Sequence, residues 1–129
     1  MSILALCTSD TSLDIPKCVM MAVVHDLAEA VEGMRSMLSD MLHDGPGAIR
    51  IKELWEEYET QTTPESRFVK DLDRLEMALQ ASEYERCFPD EPKKLQAFFD
   101  SSVPNIKHPE VSQWGQDLEN ERAQGSRAV

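Results

Sequence analysis

Apolar residues along this chain recur at spacings of three and four, the period of a helix with one buried face. Val, Ile and Thr nowhere alternate with polar residues over a useful length, so strands are not predicted. The first helix opens around Pro16, a residue tolerated in a first turn, with Asp14 before it as N-cap. Its stripe runs through Val19, Val23, Leu27, Ala30, Val31, Met34, Met37, Leu38, Met41 and Leu42, as one long helix or as two meeting near Gly33. Asp44-Gly45-Pro46-Gly47 ends it. A second helix begins near Pro46 or Ala48, with Ile51, Leu54, Trp55 and Tyr58 on one side and Glu53, Glu56, Glu57 and Glu59 on the other.

Thr63 and Pro64 then form a start signal, N-cap followed by first-turn proline, for a third helix reaching about residue 86. Its stripe is Phe68, Val69, Leu72, Leu75, either Met77 or Ala78, and Leu79. Residues 88–92 break the pattern, 93–100 read as a short helix with Leu95, Phe98 and Phe99, and 101–107 as a loop containing Pro104. A last helix opens at His108-Pro109-Glu110 and carries Val111, Trp114 and Leu118, with a frayed tail from Ala123. The fold class predicted is all-α, helix packed on helix. One domain over 13–122 with flexible ends at 1–12 and 123–129 accounts for the 129 residues.

Charge narrows the function classes. Lys and Arg number 13 against 24 Asp and Glu, a formal net charge of −11. Such a chain repels nucleic acid polymers and anionic membranes unless a basic patch or a metal intervenes, and no basic run is present. No apolar stretch is long enough to span a bilayer. The run Ile3-Leu4-Ala5-Leu6-Cys7 lacks a preceding basic region and makes a poor signal peptide. Three cysteines without CxxC spacing argue against both a disulfide framework and a zinc ribbon. These features point to a reducing compartment, the cytoplasm or the nucleus.

Few polar residues interrupt the apolar stripes. His25-Asp26 follows Val19-Met20-Met21-Ala22-Val23-Val24, and could offer one nitrogen and one oxygen to a divalent cation, or be a histidine satisfied by a carboxylate. Asp73 borders the stripe at Leu72, where it must be ion-paired, hydrated or metal-bound. Glu29 lies four residues after His25 and is either exposed or placed to handle the proton of a metal-bound water. His43, before Asp44-Gly45, and His108, before Pro109, read as helix-end residues. No Gly-rich phosphate loop or GxSxG elbow is present.

Together, Cys18-Val19-Met20-Met21-Ala22-Val23-Val24-His25-Asp26-Leu27-Ala28-Glu29, Glu53-Leu54-Trp55-Glu56-Glu57-Tyr58-Glu59 and Phe68-Val69-Lys70-Asp71-Leu72-Asp73-Arg74 resemble the HD-domain phosphohydrolases. The branch they resemble is that of the 5′-deoxynucleotidases, in the form found in fungi and other eukaryotes. The resemblance implies a helical HD-domain bundle that binds one divalent cation, Co, Mn or Mg. It implies release of phosphate from deoxyribonucleoside 5′-monophosphates by a homodimer. It assigns His25, Asp26 and Asp73 to the metal, Glu29 to the attacking water and Glu57 to the substrate.

Two departures shape the expectation. The family's first metal histidine belongs on a helix before the one at Pro16, and no His precedes His25 here. Members also follow HDxxE with Gly-Asp and a loop, whereas Glu29-Ala30 runs directly into Val31-Glu32-Gly33-Met34. The chain therefore reads as a shortened HD bundle lacking the first helix and that loop, with weak metal binding and impaired turnover. The competing reading is a non-catalytic helical interaction module derived from such an enzyme.

Overall fold

The structure, a computed structural model, describes residues 1–25, 43, 45–88 and 95–127, with side chains through Gln124. Among these residues all regular structure is helical, with no strand. The elements are α1 (Ser2–Cys7), α2 (Ile15–Val24), α3 (Pro46–Thr60), α4 (Pro64–Cys87), α5 (Gln96–Ser102), a 3₁₀ turn (Val103–Asn105) and α6 (Pro109–Arg127). The chain divides into two compact units, Met1–Lys70 and Asp71–Val129, with the division falling inside α4.

In the first unit the predicted start signals act as read. The Asp14 carboxylate accepts the Lys17 N–H at 3.2 Å, satisfying one of the donors that a helix start leaves open. Thr63 Oγ1 accepts the Ser66 N–H at 3.1 Å, and Ser66 Oγ returns a bond to the Thr63 carbonyl at 2.7 Å. Gln61, in the left-handed conformation at φ 54°, closes α3 by donating its N–H to the Glu57 carbonyl. Packing joins α1 to α2 and α2 to α3. The buried apolar residues of the unit include Ala5, Leu13, Cys18, Met21, Ala22, Leu54, Tyr58, Phe68 and Val69. A short helix thus occupies part of the stretch 1–12 expected as a flexible end, with Ala5 wholly buried. The expected continuation of the first helix toward Leu42 lies outside the described residues.

The second unit is built on the remainder of α4. Leu72, Leu75 and Ala78 are buried there and Met77 is exposed, which settles the alternative at 77 or 78. Ala78, Ala81, Phe99 and Leu118 form a cluster from α4, α5 and α6, joined by Leu79, Leu95 and Val103 at its margin. Gly115 lets α6 approach closely: a Cβ there would lie 3.2 Å from Val103 Cγ1 and 3.5 Å from Ile106 Cδ1. α6 runs to Arg127, beyond the Ala123 expected to begin a frayed tail. The loop expected over 101–107 contains the end of α5 and the 3₁₀ turn. No described helix is long and apolar enough to cross a membrane.

Candidate active site

His25 follows directly on α2, where the stripe of Cys18, Met21 and Ala22 carries it to the buried side. Its side chain is 8% exposed. Nδ1 lies 2.6 Å from the Ala22 carbonyl oxygen. A carbonyl oxygen only accepts, so Nδ1 carries the hydrogen and a neutral ring holds its lone pair on Nε2. Metal-ligating histidines show this arrangement, in which a backbone carbonyl on one ring nitrogen sets the tautomer and prepares the other. An imidazole nitrogen is a donor suited to a divalent transition ion when carboxylates accompany it; among the described residues no such group is gathered around His25.

The neighbouring side chains come from α3 and α4. Tyr58, buried on α3, meets His25 edge to face with ring centroids 5.6 Å apart and planes at 68°. Lys70 Nζ lies 5.8 Å from the centre of the Tyr58 ring. One turn back on α3, Trp55 Nε1 is buried and meets no acceptor among the described residues.

Glu57 is engaged at both carboxylate oxygens. Lys17 Nζ sits 2.7 Å from Oε1. The Thr63 hydroxyl donates to Oε2 at 2.6 Å. The hydrogen bond that Lys17 donates to Glu57 is the main cause that holds its ammonium above the ordinary value, with burial opposing it. Glu53, Glu56 and Glu59, by contrast, are exposed.

Asp73 is half-buried on the part of α4 that belongs to the second unit. Two residues earlier, Asp71 is 3% exposed. Its Oδ2 accepts the N–H groups of Lys107 and His108 at 3.2 and 2.9 Å, and its Oδ1 takes a bond from Arg74 Nη1 at 2.8 Å. The loop that precedes α6 is thereby tied to α4.

Asp26 and Glu29 lie outside the described residues. Among those described, no group of three His, Cys, Asp or Glu is gathered as a metal site. His25 and Glu57 fall in the first unit, on the α2 and α3 pair that pack together. His43 adopts φ 50°, the left-handed conformation that often follows a helix end. His108 presents Nδ1 to the Val111 N–H at 3.5 Å at the start of α6.

Three participants were not singled out by their sequence. Tyr58 reads only as part of an apolar stripe, and nothing local marks Lys17 as the partner of Glu57 or Asp71 as an anchor. Each depends on a contact between segments distant in the chain. The one available signal was Thr63, whose capping role the pattern does reveal.

The family model described as HD domain matches residues 31–112. The chain is similar to a 5′-deoxynucleotidase HDDC2 of Bos taurus, 39% identical over 95% of this chain and 68% of that protein. It is similar also to the 5′-deoxynucleotidase hdd1 of Schizosaccharomyces pombe, 36% identical over 96% of this chain and 73% of the relative. Among solved structures it resembles an HD domain-containing protein, YGK1, with a TM-score of 0.73 and 29% identity over 95% of this chain and 73% of the other. The alignment with the bovine protein runs over 141 positions, more than the chain's 129 residues, so the relative has residues without counterparts here. The family match begins at residue 31, directly after Ala30.

Proposed function

This chain belongs to the HD domain family, and we propose that it is a divalent-cation-dependent phosphoric monoester hydrolase acting on deoxyribonucleoside 5′-monophosphates. The observation that carries the reading is His25, buried after α2 with Nδ1 committed to the Ala22 carbonyl. The names of the relatives, matched over nearly the whole chain, support the substrate class.

In this reading the family resemblance assigns His25, through Nε2, and the carboxylates of Asp26 and Asp73 to the cation, which they would hold. When bound, it offsets the charge of the phosphoryl oxygens and makes water a stronger acid. That offset is needed, because a chain of net charge −11 otherwise repels a phosphate. Glu29 takes the proton of the attacking water. The water oxygen bonds to phosphorus, the bond to the sugar 5′ oxygen breaks, and that oxygen leaves with a proton. Glu57 keeps unused lone pairs after its bonds to Lys17 and Thr63, enough to accept from a substrate hydroxyl. The substrate is the monophosphate, with neither nucleic acid polymer nor membrane as a partner, and the compartment is the cytoplasm or the nucleus.

We infer further that the 129-residue chain binds its cation weakly and turns over slowly. Its other histidines are His43, which has φ 50°, and His108, which stands at the start of α6. The gapped alignment supports a relative with a segment that this chain lacks. Calorimetric titration with cobalt and manganese, beside phosphate release from each deoxynucleoside monophosphate, tests the reading. Weak binding and slow release are expected, both removed by His25→Ala and by Asp73→Asn. A folded chain that neither binds cation nor releases phosphate would favour the helical interaction module instead, and tight stoichiometric binding would refute the impairment.

A further inference from the structure

We propose that Lys17 is a positioning residue for Glu57: its ammonium fixes and neutralises the carboxylate, which then accepts a hydrogen bond from the sugar hydroxyl of the substrate. The proposal rests on the reading that Glu57 meets the substrate. Glu57 stands in the last turn of α3 and Lys17 in the first turn of α2, with Nζ 2.7 Å from Oε1. On helix electrostatics alone both residues are misplaced, since a carboxylate is favoured at a helix start and an ammonium at a helix end. Exchanging the two would keep the ion pair and suit both macrodipoles. Where a sequence breaks its own local preferences, a functional site is the expected reason. What this arrangement gains is a carboxylate, rather than an ammonium, held at the end of α3.

A carboxylate that receives a substrate hydroxyl has two requirements. Its plane must be fixed, and its charge must not repel the phosphate of the same substrate. The first is met from two sides, by Lys17 at Oε1 and by the Thr63 hydroxyl, which donates to Oε2 at 2.6 Å. One donor on each oxygen restrains the terminal torsion, which is otherwise broad, and leaves lone pairs free on both. The Thr63 hydroxyl is itself oriented, because its oxygen accepts the Ser66 N–H at 3.1 Å. The second requirement falls to Lys17 alone, since Thr63 is neutral. Asp14 and Glu65 act on the same ammonium, so removing it would leave carboxylates uncompensated in a chain of net charge −11. The Glu57 side chain keeps 17% of its surface exposed, and a hydroxyl can reach it.

The test reads binding, not turnover. Deoxyadenosine and its 5′-monophosphate are titrated by NMR, with no cation added, into wild type, Lys17→Arg, Lys17→Met, Glu57→Gln and the double variant Lys17→Met/Glu57→Gln. Lys17→Arg is expected to keep the wild-type affinity. Lys17→Met is expected to bind deoxyadenosine roughly 10-fold more weakly, and to lose more for the monophosphate at low salt. Because Lys17 acts through Glu57, the double variant should bind deoxyadenosine no more weakly than Glu57→Gln alone. Unchanged affinity in Lys17→Met would overturn the proposal. So would a further loss in the double variant, which would show that Lys17 acts through general stability, and so would a wild type that binds no deoxyadenosine. An equal loss for the two ligands would refute the neutralising role. If the expected binding pattern appears but wild type releases no phosphate with cobalt or manganese, the positioning of Glu57 stands and the hydrolase reading falls.

Discussion

Lys17 Nζ sits 2.7 Å from Glu57 Oε1, joining the first turn of α2 to the last turn of α3. Each residue is at the unfavourable end of its own helix. A cation near a helix N-terminus and an anion near a C-terminus both oppose the macrodipole, and pairing them offsets both. The pair is only partly shielded from solvent, so its worth is modest. Lys17→Met is expected to cost about 1 kcal/mol, and Glu57→Gln a similar amount. The double variant should cost less than the two together, because each single change leaves its partner uncompensated. The sign with pH follows from the raised Lys17 value. This contribution is complete below 10.5, the ordinary value for lysine, and is lost as pH rises through the raised one. Urea unfolding of the four proteins at neutral and alkaline pH checks both points.

Burial makes the three free cysteines unequal. Cys18 is wholly buried on α2, whereas Cys7 and Cys87 are exposed. Burial pushes the Cys18 thiol from 9.0 to about 12, with Glu65 and other nearby carboxylates adding to the effect. The thiolate is the reacting form, so iodoacetamide should modify Cys7 and Cys87 in the native protein and reach Cys18 only on unfolding. Mass spectrometry of peptides from a timed reaction measures this. The folded state favours the neutral thiol, so its contribution is complete below pH 9.0 and declines toward about 12, by up to roughly 1.4 kcal/mol per pH unit. Cys18→Ala should abolish that part of the alkaline decline. Equal labelling of all three native thiols would contradict the assignment.

Asp71 is the carboxylate on which the second unit depends. It accepts two backbone N–H groups and one guanidinium bond while 3% exposed. Asp71→Ala would strand the Lys107 and His108 amides and remove the partner of Arg74. Leaving buried donors unpaired is expensive, and a loss of about 2–4 kcal/mol is expected. Asp71→Asn, which keeps one acceptor oxygen, should cost less. Thermal melts give the ranking, and amide exchange at Lys107 and His108 should accelerate in the alanine variant. Unaltered exchange at both amides would show that the loop is held by something else.

What could be foreseen in this chain divides along the range of the interactions. Asp14 before Pro16 and Thr63 before Pro64 announce helix starts because a cap is bonded within three residues. The exposed Met77 and buried Ala78 were undecided by pattern alone: successive positions stand about 100° apart on a helix, and tertiary packing makes the choice. α1 escaped notice because Ile3-Leu4-Ala5-Leu6 is a continuous apolar run without period, and Ser2–Cys7 lacks a side-chain cap. Of the site, His25 stood out as a polar break in an apolar stripe. Tyr58, Lys17 and Asp71 did not, since their roles are created by partners 33 or more residues away in the chain.

Two ion pairs link α4 to α6, and they should respond very differently to mutation. Arg122 offers Nε and Nη2 to the two oxygens of Glu85 at 2.7 and 2.8 Å, and Nη1 to Gln96 Oε1 at 2.8 Å. Its guanidinium carbon lies 4.0 Å from the centre of the Phe99 ring. The hydrogen bonds that Arg122 donates to Glu85 raise its value above the ordinary one against the opposing effect of burial. Lysine cannot reproduce the fork, the third bond and the flat stacking surface together. Arg122→Lys is therefore expected to lose about 1–3 kcal/mol despite keeping the charge. Arg86 pairs with Glu121 at 2.7 Å through mostly exposed side chains. Water screens that pair, and Arg86→Lys should leave the melting temperature unchanged within error. Raised salt should erase any residual effect at Arg86 while sparing most of that at Arg122, because buried pairs are screened less. Equal losses at the two sites would mean that charge, not geometry, sets the value of Arg122.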